Sequence, residues 1–182
     1  PDPQTQQLLS TLGNENDQDG LVVKLSSDGA LVWATAIGQA TTTDTMDDIY
    51  VTSAAPLQIF VTGDFANTID ADGRGIGGAG LSTSTLTSYG NRDVAIIKLD
   101  KLGNSLWNAA IGSDEYDTGD AIAGDSLGNI YLGGQYKKAS DIDPTDSVVM
   151  VETEDYQALG ENGVGARDAF IVKLAQTDGA PV

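Results

Sequence analysis

The stretch Asp93-Val94-Ala95-Ile96-Ile97-Lys98-Leu99-Asp100-Lys101-Leu102-Gly103-Asn104-Ser105-Leu106-Trp107-Asn108-Ala109-Ala110-Ile111-Gly112 decides the fold. Val94 to Leu99 has the β-branched, apolar composition of a strand, Lys101 to Asn104 punctuates it, and Ser105 to Ile111 returns, which reads as a hairpin. The same design stands upstream from Asp19 to Gly38, with Ser27-Asp28-Gly29 as its turn, and begins a third time at Asp168 as DAFIVKL. Lys24 and Lys98 are 74 positions apart (98−24 = 74), Lys98 and Lys173 are 75 apart (173−98 = 75), and Trp33 and Trp107 repeat the first step. A near-constant period marks a repeat architecture.

Working outward, a second strand pair precedes the quoted hairpin: Ile49 to Thr52, a turn around Pro56, then Ile59 to Gly63. Its copy is Ala121 to Gly124, a turn at Leu127-Gly128-Asn129, and Ile130 to Gly134. Each full period therefore carries four strands. Residues 1–38 read as the tail and outer hairpin of a preceding repeat, 39–112 as a complete four-stranded repeat, and 113–182 as a partial repeat lacking its last strand. Between the second pair and the next hairpin lies a variable insert, 66–92 in one copy and 137–167 in the other; insertions at one place in a repeat fall on one face. That face is expected to carry interactions. On the hairpin Asp19 to Gly38, Leu21, Val23 and Leu25 share one face of the outgoing strand and Leu31, Trp33 and Ile37 one face of the return.

The bulk numbers narrow the function classes. With 182 residues, 22 glycines and no sustained helical periodicity, the chain is expected to be all-β. Its net charge of −18 opposes binding to nucleic acid or anionic lipid. Cysteine and histidine are absent, which removes disulfides, thiolate or imidazole metal sites and His-dependent catalysis. No run approaches the roughly 18 apolar residues of a membrane span. The acidity reads as a solvated surface, or as one that divalent cations bridge.

The pattern D-[AV]-x-[IV]-x-K-L, a Gly turn, L-x-W, I-G, then Gly128-Asn129-Ile130-Tyr131-Leu132-Gly133-Gly134 and Asp141-Ile142-Asp143-Pro144 resembles the SBBP-type β-propeller repeats of bacterial secreted and surface proteins. In the earlier copy the Asp-Pro element becomes Asp70-Ala71-Asp72-Gly73 and the Gly-Asn turn becomes 54–58, so neither serves a site shared by every repeat. The resemblance implies β-propeller-like blades of four antiparallel strands, an extracellular or cell-surface setting, and a role in surfaces, adhesion or assembly without known catalysis. The strands present are too few for a ring of four to eight blades. Incomplete blades leave exposed sheet edges, which invite pairing with other copies or with the remaining repeats of a longer chain. Trp33, Trp107, Leu25, Leu99, Leu174, Ile37 and Ile111 are expected to form the repeat core.

Candidate chemistry is limited to carboxylates. Asp141, Asp143 and Asp146 stand at D-x-D-x-x-D spacing, echoed by Asp70 and Asp72, and clustered hard oxygen ligands suit Ca²⁺. The plainer reading is a solvated turn started by Asp143-Pro144. Glu15, Asp17 and Asp19 imitate half a calcium loop, but Ser26 stands where a bidentate Glu belongs. Asp114, Glu115, Asp117 and Asp120 read as a polar loop. Gly73, Gly75 and Gly78 match G-x-G-x-x-G with no helix to follow, so no phosphate site is expected. Lys24, Lys98 and Lys173 are expected to pair with acids. The expected function is a non-catalytic structural and interaction module. The alternatives are a calcium-dependent module binding glycans or surface polymers and a carboxylate-dependent hydrolase.

Overall fold

The structure, a computed structural model, describes residues 17–39, 42–53, 55–76, 84–138, 140–143, 150–151 and 167–175, with the backbone alone for 72–76, 150 and 151. Those residues form strands and no helix: β1 (Gly20–Leu25), β2 (Leu31–Gly38), β3 (Thr45–Val51), β4 (Ile59–Phe65), β5 (Thr68–Ile76), β6 (Thr85–Thr87), β7 (Asp93–Leu99), β8 (Ser105–Ile111), β9 (Thr118–Gly124), β10 (Asn129–Tyr136), β11 (Ser140–Asp141), β12 (Met150–Val151) and β13 (Asp168–Ala175). An upstream sheet has the order β1-β2-β5-β6, a central sheet β3-β4-β7-β8 and a downstream sheet β9-β10-β13, with β11-β12 as a small separate pair. Every strand pairing within them is antiparallel.

Local chemistry fixes the hairpins. In Asp100-Lys101-Leu102-Gly103-Asn104 the Asp100 carboxylate accepts from the N–H groups of Leu102 and Asn104 at 2.7 and 3.0 Å and from the Asn104 side-chain amide at 3.1 Å. Asp125-Ser126-Leu127-Gly128-Asn129 repeats the arrangement. Gly103 and Gly128 sit at φ 87° and 88°, left-handed positions that a Cβ disfavours. The β3–β4 turn, which lacks this sequence, closes instead through Thr52, whose N–H donates to Gln58 O and whose Oγ1 accepts from Gln58 N–H, each at 3.0 Å.

The three sheets stack face to face, and β7 lies at the centre with every residue buried. Successive strand side chains point to opposite faces. Ala95, Ile97 and Leu99 meet Val22, Trp33 and Ile37 of the upstream sheet. Val94 and Ile96 meet Ile130, Leu132 and Phe170 of the downstream sheet. Two-sided burial explains why Val94 to Leu99 reads as a near-continuous apolar run, and each large side chain so buried contributes about 1.5–3 kcal/mol. The architecture is thus all-β and propeller-like, with sheets that do not close on one another.

Three sequence readings change. Leu25 is 55% exposed although its repeat counterpart Leu99 is 0% exposed. It shares the exposed face with Leu21 and Val23, and that face points away from the central sheet, where no described residue covers it. Leu31 is likewise exposed, while Trp33 and Ile37 are buried. The first insert is no free face along Thr68–Ile76 and Thr85–Thr87: those segments are β5 and β6, and β5 pairs with β2 to extend the upstream sheet.

Candidate interaction surface

The repeats are joined by a seam that the chain builds twice. Just before β3, Asp44 is buried and its carboxylate gathers the Thr42 hydroxyl at 2.9 Å, Gln39 N–H at 3.2 Å and Ala66 N–H at 3.1 Å. Just before β9, Asp117 does the same with Ser113 N–H at 2.6 Å, the Ser113 hydroxyl at 2.8 Å and Lys137 N–H at 2.8 Å. Each main chain also crosses the seam: Asp44 N–H donates to Gln18 O at 2.7 Å, and Asp117 N–H to Arg92 O at 2.8 Å. Burial raises both carboxyls above the ordinary range, opposed by these donors. The latch escaped sequence reading because a buried aspartate between polar residues has the letters of a solvated loop; the one signal was the recurrence of Asp44 at Asp117, 73 positions on (117−44 = 73).

Asp93 opens β7 at 0% exposure, accepting from Tyr89 N–H at 2.5 Å through Oδ2, while Oδ1 has no hydrogen-bond partner among the described residues. Burial, augmented by the charge of Asp117, pushes its pKa up to about 7. Gly112 lies against this carboxyl so closely that any Cβ there would collide with it, and Gly38 stands in the same relation to Asp19.

Each D-x-D element pairs through its first aspartate with the glycine that ends the return strand of a hairpin. Asp141 pairs with Gly112 at the end of β8 through main-chain bonds in both directions, 3.2 and 3.0 Å. Asp70 pairs with Gly38 at the end of β2. The Asp141 side chain accepts from Asp143 N–H at 3.0 Å, closing a tight local turn. Asp146 lies outside the described residues and the Asp72 side chain outside those described in full. Among the described residues no group of three acids is gathered closely enough to hold a metal ion.

The remaining sequence candidates fall into structural places. Asp114 and Glu115 form ion pairs with Lys138 at 3.2 and 2.9 Å. Asp120 accepts from the Gln135 amide at 3.2 Å. Gly73 and Gly75 belong to strand β5, an extended backbone unlike a phosphate loop, and Gly78 lies outside the described residues. Lys24 donates to the carbonyl of Lys101 at 2.9 Å instead of to a carboxylate, and the Trp33 indole N–H donates to the same carbonyl at 3.0 Å. Lys98 stacks its ammonium 5.5 Å from the Phe60 ring centre, and Trp107 meets that ring edge-on at 6.1 Å. Trp33, Leu99, Leu174, Ile37 and Ile111 are buried, and Trp107 packs half-buried against the core.

What remains unpartnered is surface, and it lies at both ends of the stack. Upstream it is the face of Leu21, Val23 and Leu25. Downstream it is β13, where Ile171 is 81% exposed while its counterpart Ile96 is 0% exposed. Both exposed sets occupy positions that pack sheet against sheet elsewhere in this molecule.

No family model matches the chain. It is 29% identical over 163 residues to an uncharacterised WD repeat-containing protein of Acanthamoeba polyphaga mimivirus, a match that takes in 83% of this chain. The chain spans 11% of that relative's length.

Proposed function

We propose that this chain is a non-catalytic β-propeller-like repeat segment acting as a structural and protein-interaction module of a larger surface or self-assembling scaffold protein. The observation that carries it is the pair of uncovered sheet faces, Leu21, Val23 and Leu25 at one end and Ile171 at the other, whose repeat counterparts are buried between sheets. Apolar faces of this kind mark interaction sites. The WD repeat relative supports the reading, since WD repeats are built as four-stranded blades. Partners are further repeats of the same design, from a longer chain or from other copies, and a surface setting follows from the SBBP-type resemblance.

Light scattering over a concentration series tests the self-assembling form. The chain should associate as concentration rises, and Ile171→Asp should abolish this, because it puts a charge on one of the two faces that must meet. A chain that stays monomeric throughout would remove that form of the proposal.

A further inference from the structure

Resting on the reading of this chain as an interaction module, we propose that the groove between β1 and the β3–β4 face is a strand-accepting site for an extended segment of the β4 and β10 pattern, with its first aromatic side chain opposite Lys24. The equivalent position is filled twice in this molecule. β7 has β8 on one edge and β4 on the other, and β13 has β10. β1 has β2 on one edge, and among the described residues no strand on the other.

The floor beneath that edge is exposed, apolar around Ile49, Val51 and Leu57 and acidic at its far end, where Asp47 and Asp48 line it. A cavity of about 260 Å³ is bounded by Lys24 and Trp33 on one side and Ile49, Val51 and Leu57 on the other. A second, of similar volume, shares Val22, Val23 and Ile49 with it and continues along β1 past Leu21 and Met46. Ile49 is 50% exposed, whereas Ile122, its counterpart on β9, is 6% exposed in a cluster that includes Phe60 of β4. The second strand of a repeat is thus what covers this position downstream.

The registers specify the occupant. Opposite Leu99, Lys98 and Ile97 stand Ile59, Phe60 and Val61; opposite Leu174, Lys173 and Val172 stand Ile130, Tyr131 and Leu132. Glycine follows opposite Ala95 and Phe170, and a second aromatic, Phe65 or Tyr136, opposite Asp93 and Asp168. Transferred to β1, the ligand reads apolar, aromatic, apolar, any, Gly, any, aromatic against Leu25 back to Asp19. Main-chain bonds to the β1 edge would supply affinity, and the alternate side chains specificity. A ring opposite Lys24 would take the place that Phe60 holds beside Lys98.

The peptide GNIYLGGQYK, residues 128–137, labelled with fluorescein, is titrated against the intact chain carrying Ile171→Asp, so that association through the sheet faces does not contribute. Saturable binding is expected, weakened about tenfold when the peptide's Tyr131 is changed to Ala. Ile49→Asp in the groove floor should abolish binding with the melting temperature unchanged, and Leu57→Asp, in the adjoining loop, provides a second variant. No saturation up to about 1 mM peptide, equal binding of a scrambled peptide, or full binding by both floor variants would overturn the proposal. Any of these results beside concentration-dependent association of the unmodified chain would leave the module reading standing and remove only the strand site.

Discussion

The seam between the upstream and central sheets and the seam between the central and downstream sheets are written in the same residues and finished to different degrees. Downstream, β3 and β4 lie over the next sheet, Tyr50 and Phe60 pack 6.3 Å apart, and Asp48 on β3 accepts from Ile122 N–H at 2.8 Å. Upstream, the latch of Asp44, the clasp of Asp70 on Gly38 and the Trp33 and Lys24 contacts to Lys101 are present, yet Ile49 and Val51 are half exposed. Polar latches and main-chain clasps are therefore separable from apolar cover: the former set which sheets adjoin, and the latter depends on the first two strands of the preceding repeat, which β3 and β4 supply downstream and which no described strand supplies beside β1.

The largest effect should separate the covered from the uncovered copy of one position. Leu99→Ala removes a fully buried side chain between sheets and should destabilise by about 3 kcal/mol in urea unfolding. Leu25→Ala, the same letter one period earlier, should stay within about 0.5 kcal/mol. Equal costs would mean that the upstream face is covered after all, and the comparison would fail.

That pair also marks how far the sequence could be read. The hairpin of β7 and β8, its Asp100 turn and the 74-residue period were legible because alternation, glycine and turn residues act locally. Leu25 was misread because alternation tells which side chains share a face and is silent on what covers that face. The pairing of β5 with β2 was missed because it is made by main chain in a Gly-rich stretch, and backbone bonds leave little trace in composition. Asp93 and Asp117 were visible as acids, while their burial depends on contacts made by another repeat.

Next in size are the latches. Asp117→Ala strands Ser113 N–H and Lys137 N–H inside the seam, and should destabilise by about 3 kcal/mol. Asp44→Ala strands Gln39 N–H and Ala66 N–H and should lose about 2 kcal/mol, measured the same way. Similar losses would show that the two seams share a latch although they differ in cover. An Asp44→Ala variant as stable as the parent would mean that the upstream seam is held by its apolar contacts alone.

Comparable to the Asp44 latch, but spread over several pH units, is a pH effect centred on the downstream seam. Asp93 holds its proton when folded up to about pH 7, while an unfolded aspartate releases it near 4. Between those values the folded state binds more protons, so stability falls as pH rises from about 4 to about 7, by at most about 1.4 kcal/mol per unit, and is flat above. Asp117 and Asp44, raised by burial, act in the same direction. Asp125, held down to about 2 first by the Asn129 amide, stays ionised throughout the window. Asp93→Asn should flatten part of this slope and stabilise the chain at pH 8 by about 2 kcal/mol. An unchanged slope in thermal melts from pH 4 to 8 would show that Asp93 is not the titrating group.

The smallest effect is expected where the sequence looked most like a metal site. The clasp at Asp141 is main chain to main chain with Gly112, and its side chain accepts from Asp143 N–H, which an asparagine oxygen does equally well. Asp141→Asn should therefore stay within about 0.5 kcal/mol of the parent. The same variant decides the calcium reading, because a carboxylate ligand would be lost with the charge. Titration calorimetry with Ca²⁺ and melting curves with and without chelator should be alike for parent and variant. A calcium-dependent melting shift present in the parent and lost in Asp141→Asn would instead assign the acidic element to a cation. Asp70 supplies the internal control: it makes the same pairing to Gly38 with Ala-Asp-Gly behind it in place of Ile-Asp-Pro, so a clasp made of backbone tolerates that change of letters.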